Sequence, residues 1–317
     1  MERKHVNTGI AGVDVGKAWL DVAVHGSDAE GRWPNTARGV GELIVWLKAR
    51  EVGRVGLEAT GGYERAARLA LEAAGLEVVI HQPVEVRLFA RLIRRRAKSD
   101  ALDARLIAAA TARLDTVRAA SDPRLAELAE RLTAYEQITD QAAQLKTFME
   151  HVTLKDLAAR LRRQIAALVR FKARLAADIL ARIEAHEDLQ ARDRLLLSLP
   201  GVGPVVAAAL VVRMPELGAM KRGQAAALIG VAPFDRDSGQ HRGARFIAGG
   251  RGRPRRLLYL AALAAKRSDP ALKAFAQRLL ANGKPPKVAI VAVMRKLIEA
   301  ANLVLQRQQP WLTSPVS

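Results

Sequence analysis

Residues 10–24 read IAGVDVGKAWLDVAV, and this stretch carries the fold class of the 317-residue chain. Thr8–Val15 and Ala18–His25 are two β-rich runs separated by Gly16-Lys17, the pattern of a hairpin. Asp14 lies inside the first run with apolar residues and glycine around it. A carboxylate in an apolar strand is costly to bury unless it is paired or bound to a cation. Asp14 is therefore the first candidate for chemistry.

Outward from the hairpin, strand and helix signals alternate. Val40–Arg50 has helical apolar spacing at Leu43, Ile44 and Leu47; Val55–Ala59 is a short buried strand ending near Glu58. After Thr60-Gly61-Gly62 a helix is expected from Tyr63 to Ala74, stopped by Gly75 and followed by a strand over Leu76–Ile80. Val84–Arg96 and Ser99–Arg113 read as helices. A hairpin followed by β/α alternation predicts an α/β domain, a mixed sheet with helices packed on it, over residues 1–120.

Pro123 to Pro200 encloses neither Gly nor Pro, and apolar residues recur at three- and four-residue steps from Leu125 to Ile183. This is a helical, coiled-coil-like spacer over residues 121–192, either one long helix or an antiparallel pair, with Thr153 and Asp156 as a capping box at a break. Pairing within the chain and pairing between subunits are both open. Residues 193–317 form a third, mostly helical region interrupted by a Gly/Arg-rich loop between Val231 and Arg253.

The chain has 51 Lys+Arg against 32 Asp+Glu, a formal net charge of +19. Self-repulsion of that size calls for an acidic partner, and nucleic acid is the leading one. The absence of cysteine excludes disulfides, thiolate zinc sites and a Cys nucleophile. The N-terminus lacks a signal-peptide core, and the longest apolar run, Val205–Val212, is too short to cross a bilayer. A soluble, cytoplasmic, nucleoid-associated protein without membrane binding is expected.

Glu58 ends a buried strand in VGLEATGG, and Asp100 and Asp103 stand three apart in KSDALDARL, on one helix face. Carboxylates from several elements suit Mg²⁺ or Mn²⁺. Each acid has a plainer reading: a cap or turn residue, or for Asp100 and Asp103 partners of Arg94, Arg95 and Arg96. Asp21 and Glu64 are set aside, the first on the outer hairpin strand, the second at a helix start. Strand Asp, strand-end Glu and helix Asp-x-x-Asp together have the layout of an RNase H-like nuclease.

LLLSLPGVGPVVAAAL, from Leu195 to Leu210, resembles a helix-hairpin-helix motif whose Gly201 and Gly203 amides approach phosphate; an ordinary helix turn is the alternative. Between Asp235 and Arg256 stand seven arginines (Arg236, Arg242, Arg245, Arg251, Arg253, Arg255, Arg256), suited to clamping phosphate. Lys98 adds to the basic run of Arg94–Arg96. Ser238, between Asp237 and Gly239, reads on its own as a phosphate contact rather than a nucleophile.

GVDVGKAWLDVAV, LEATGGYE, KSDALDA, LPGVGPVVAAAL and DRDSGQHRG occur in one order over nearly the whole chain. The ordered set resembles the insertion-sequence one-ten family of DEDD transposases. That resemblance implies a RuvC-like domain whose acids, at Asp14, Glu58, Asp100 and Asp103, bind Mg²⁺ and act in DNA strand cleavage. It implies a C-terminal domain whose catalytic serine falls on Ser238 and forms a covalent serine–phosphate intermediate. It also implies a structured guide RNA (the bridge RNA) and dimers that assemble into tetramers. The alternatives left open are a RuvC-type junction resolvase, an actin-like ATP-dependent kinase and a non-catalytic nucleic-acid scaffold.

Overall fold

The computed structural model describes residues 9–93, 100–114, 122–234 and 245–311, without the side chains of 100–102 and 234. They form two units, Met1–Pro123 and Arg124–Ser317.

The first unit runs β1 (Gly9–Val15), β2 (Trp19–Val24), β3 (Glu30–Pro34), α1 (Ala37–Lys48), β4 (Val52–Glu58), α2 (Glu64–Ala73), β5 (Glu77–His81), α3 (Pro83–Leu92) and α4 (Asp100–Ala112). The strands make one five-stranded mixed sheet in the order β3-β2-β1-β4-β5. The hairpin read from residues 10–24 is present, with Val15 opposite Leu20 and Ala11 opposite Val24. β4 lies parallel to β1 with Gly12 opposite Gly56, and β5 lies parallel to β4. β3 is an addition to the sequence reading. It pairs antiparallel with β2, and Arg32 grips Asp21 at 2.7 Å across the ladder.

Strand alternation sorts the two faces. Ala11, Val13, Val15, Val55 and Leu57 join Val40, Leu43, Leu47, Ala67 and Leu71 in a core under α1 and α2. Thr36 caps α1 by accepting from the Gly39 amide at 3.2 Å. Gly12 and Gly56 point to the other face, where α4 lies. A Cβ on Gly12 would stand 2.2 Å from Ala104 O and Ala108 N, and one on Gly56 1.9 Å from Thr111 Oγ1. Two glycines in adjacent strands thus let one helix lie almost on the sheet backbone.

The second unit comprises α5 (Pro123–Met149), α6 (Lys155–Glu184), α7 (Glu187–Leu197), α8 (Pro204–Arg213), α9 (Gln224–Ile229), β6 (Pro233–Phe234), β7 (Phe246–Ile247), α10 (Gly252–Ser268), α11 (Pro270–Ala281) and α12 (Pro286–Arg307). The long helices are an antiparallel pair: Arg131 meets Asp178 at 2.6 Å, Arg182 meets Glu127 at 2.9 Å, and Lys172 sits 5.0 Å above the Tyr135 ring. The Thr153–Asp156 capping box does not form. Leu154 occupies the N-cap of α6 and no side chain bonds there. Leu128, Leu132, Ile179 and Ile183 share one core with the C-terminal helices, in which Ala207–Val212 of α8 are all buried. Asn302 is the buried polar pin of α12, accepting from the Gly218 amide at 2.8 Å and donating to Met220 O at 2.9 Å.

Candidate active site

Asp14 follows Gly12 by two residues on β1, and Glu58 follows Gly56 by two on β4. Period-2 alternation puts both carboxylates on the face against which α4 packs. With Gly12 opposite Gly56 and Val13 opposite Leu57, the next step of the ladder sets Asp14 beside Glu58 at the carboxyl ends of the strands. Asp103 directly precedes Ala104, the residue whose carbonyl abuts Gly12. The glycine contact that seats α4 therefore also sets the height of Asp103 over the strand ends. Asp100 opens α4, and its side chain lies outside the described residues.

The electrostatics agree with this placement. Glu58 is lifted above the usual carboxylate range, first by burial and then by the charge of Asp103, against a smaller lowering pull from Arg87. Like charges raise a carboxyl only at short range, so Asp103 acts on Glu58 across the gap between α4 and β4. The donor set is hard anionic oxygen under partial desolvation, which a divalent cation neutralises. Among the described residues, no three His, Asp or Glu side chains gather closely enough to hold a metal ion.

Neighbouring groups set aside from sequence have defined roles. Asp21 stands directly opposite Asp14 but is held by Arg32. Glu64 accepts from the Thr60 amide at 3.1 Å, the Thr60 hydroxyl at 3.0 Å and the Gly62 amide at 2.9 Å, fixing the loop after β4. His81 was missed by sequence reasoning. It is buried on β5, paired in register with Glu58, and its Nε2 lies 2.8 Å from Thr111 Oγ1. Thr111 donates its only hydroxyl proton to Ile107 O at 2.7 Å, so the His81 Nε2 is the donor of that contact. Burial holds His81 below its ordinary pKa, in keeping with a neutral ring. The signal available in the sequence was a lone His at the end of an apolar strand, which does not name its partner.

In the second unit the four arginines from Arg251 to Arg256 bond protein groups. Arg251 bonds Glu216 and Arg213 O, each at 2.7 Å. Arg253 meets Glu136 at 2.8 Å, Arg255 donates to Gly249 O at 2.8 Å, and Arg256 grips Asp140 with both terminal nitrogens. Arg245 is exposed. A Cβ on Gly201, whose φ is +73°, would come 2.4 Å from Ala261 O and Ala265 N, so this glycine serves close packing on α10. Gly203 caps α8 with open space above it. Arg94, Arg95, Arg96, Lys98, Arg236, Ser238 and Arg242 lie outside the described residues. β6 and β7 pair, Phe234 opposite Phe246, on either side of the stretch that holds Ser238.

Residues 11–156 match the DEDD transposase family of IS110 elements, and residues 193–277 match the transposase IS116/IS110/IS902 family. The chain belongs to this transposase family. It is an enzyme of DNA transposition and recombination, DNA is its partner, and the DEDD group it belongs to works with a divalent metal. The chain is similar over its whole length to two pilin gene-inverting proteins, from Moraxella bovis and Moraxella lacunata. Each is 25% identical over 326 residues, covering 95% of this chain and 96% of the relative. Among the described residues no helix is long and apolar enough to cross a membrane.

Proposed function

We propose that this transposase cuts and rejoins DNA with two groups, a carboxylate cluster of an RNase H-like, RuvC-like domain and the hydroxyl of Ser238. What supports the first half is the charge of Asp103 acting on the part-buried Glu58, with Asp14 and Glu58 on the one face where Gly12 and Gly56 admit α4. Asp14, Glu58, Asp100 and Asp103 hold the metal, Mg²⁺ or Mn²⁺. Bound there, the cation supplies polarisation of the phosphodiester and stabilisation of the attacking and leaving oxygens.

The serine half rests on the family resemblance. Ser238 Oγ attacks phosphorus, the phosphodiester bond to the leaving strand oxygen breaks, and the DNA end is held as a serine phosphoester. Attack by a DNA hydroxyl on that ester then joins the new strand and releases the serine. Arg236, Arg242 and Arg245 flank Ser238 in sequence and would stabilise charge on the phosphate. Arg94, Arg95, Arg96, Lys98 and Gly203 are further nucleic-acid contacts in this reading. Arg251, Arg253, Arg255 and Arg256 act chiefly by holding the α10 end of the loop in place.

A structured guide RNA that pairs with target and donor DNA, and dimers assembling into tetramers, complete the reading by resemblance. So does a nucleoid-associated cytoplasmic location. The gene-inverting relatives support strand exchange rather than simple hydrolysis. Ser238→Ala is the test. Loss of strand exchange and of any covalent protein–DNA adduct, with metal present and folding intact, is expected. Undiminished DNA cleavage by that variant would assign the reaction to the carboxylates and water alone.

A further inference from the structure

The ion pairs of the second unit divide α6 into two halves. Near the shared core, arginines have carboxylates: Arg131 and Arg182 share Asp178 and Glu127, and Arg124 holds Asp188. On the other half, Lys155, Arg160, Arg162, Arg163, Arg170 and Arg174 are all exposed. None of the six has an ion pair among the described residues. Asp156 is the one acid between positions 155 and 174.

Four of these arginines form a line. Arg160, Arg163, Arg170 and Arg174 follow steps of three, seven and four, which return to one face of a helix. Leu161 and Ile165, which are buried, lie on a different face from the exposed arginine line. Its length is about 21 Å at 1.5 Å per residue. Arg160 and Arg163 are like charges three apart, and Arg170 and Arg174 four apart, spacings that destabilise a helix. The cost is removed when phosphates stand opposite. A 21 Å path along a duplex passes roughly six phosphates of each strand.

We propose that this arginine line on α6 is a docking surface for the phosphate backbone of duplex DNA. The choice of DNA rests on the family's activity, which guarantees that polymer. The contact is a positioning one without base readout, since guanidinium groups on an exposed helix face meet backbone first.

The test uses the full-length protein with Arg160, Arg163, Arg170 and Arg174 changed together to Gln, which keeps helix propensity. Fluorescence anisotropy with a labelled 30-base-pair DNA duplex is read from 50 to 200 mM salt. The slope of log affinity against log salt should fall by about 3.6, at about 0.9 per phosphate contact. Over that fourfold salt range, the wild type should lose about 150-fold more affinity than the variant. An unchanged slope overturns the proposal. A slope lost only with an RNA hairpin of equal length, and not with DNA, also overturns it and assigns the surface to RNA. Single Arg→Gln variants, each removing about one unit of slope, keep the test readable if the quadruple variant does not fold. Asp14→Asn separates this inference from the proposed chemistry: it should stop strand cleavage and leave the salt slope as in the wild type.

Discussion

Gly12→Ala tests the physical premise of the site. The new Cβ would lie 2.2 Å from Ala104 O and Ala108 N and 2.9 Å from Ala108 Cα, against an ordinary contact beginning at 3.4 Å. The obstructing atoms are helix backbone and cannot rotate away, so α4 must recede by roughly 1 Å, the difference between 3.4 and 2.2 Å. Overpacking of this kind costs about 1–3 kcal/mol, partly offset by about 0.4–1 kcal/mol from the stiffer unfolded chain. Because the clash is with backbone, a net loss of about 2 kcal/mol is expected. Asp103 precedes Ala104 and moves with it. A displacement of about 1 Å at a reacting centre costs on the order of 100-fold in rate. Urea unfolding followed by tryptophan fluorescence reports the right unit, since Trp19, Trp33 and Trp46 lie in it and Trp311 alone does not. Gly41→Ala is the control: nothing lies within 4 Å of that Cβ, it sits in α1, and a gain of about 0.5–1 kcal/mol is expected. If Gly12→Ala leaves both stability and strand cleavage at wild-type levels, α4 does not press on β1 and the proposed acid cluster is refuted.

Two further outcomes follow from titrating groups. Glu58 has a folded pKa above its unfolded one, so its contribution to stability is present below about pH 4.5 and is lost as pH rises through the folded value. Glu58→Gln should therefore stabilise the metal-free protein at pH 7, change little at pH 4, and abolish the rise in melting temperature that Mg²⁺ gives the wild type; an undiminished Mg²⁺ shift would remove Glu58 from the metal set. Asp193 on α7 is pushed up to about 6 by burial and by Glu184, and its Oδ1 is buried without a hydrogen-bond partner among the described residues. Its sign is the same: stability is favoured below pH 3.8 and lost as pH climbs through about 6. The shift amounts to about 3 kcal/mol before solvent screening and about 1–2 kcal/mol after it. Asp193→Asn should add that much stability at pH 8 and nothing at pH 4, measured by urea unfolding, and an equal gain at both pH values would show that packing is responsible.

The parts of the fold that were legible depend on local chemistry. The hairpin around Gly16, the strand ending at Glu58, and helices α1, α2 and α4 follow from periodicity and glycine stops. β3 was hidden because EGRWP carries Glu30, Arg32 and Pro34 and has no apolar alternation. It is held by its ladder to β2 and by the Arg32–Asp21 pair, neither of which is local. The arginines after Ile247 suit phosphate clamping when read alone, and their partners within the protein are as distant in sequence. The carboxylates that hold Arg253 and Arg256 are Glu136 and Asp140, 117 and 116 residues away. Gly201 reads as a phosphate approach, and its tight neighbours on α10, some sixty residues off in sequence, add a packing role that the sequence does not show. Asp14 and Asp103 could be named as acids of interest, but the part of Gly12 and Gly56 in seating α4 on the sheet required the crossing helix.

Glu58 is the acid whose affinity for a proton is raised. Asp100 and Asp103 lie in the first turn of α4, where unpaired amides and the helix dipole favour negative charge. Glu58 instead ends strand β4. Glu58 carries the added burden of burial and of Asp103 facing it, with Arg87 giving partial relief. As pH falls in the absence of metal, Glu58 therefore takes up a proton ahead of an ordinary glutamate. A cation that binds only the ionised cluster must displace that proton, so metal affinity weakens with acid sooner than for a typical carboxylate site. The strain comes from the feature that builds the site. The glycines let α4 lie on the sheet with Asp103 in its first turn, and in the proposed site the repulsion between Asp103 and Glu58 is what a bound cation would relieve.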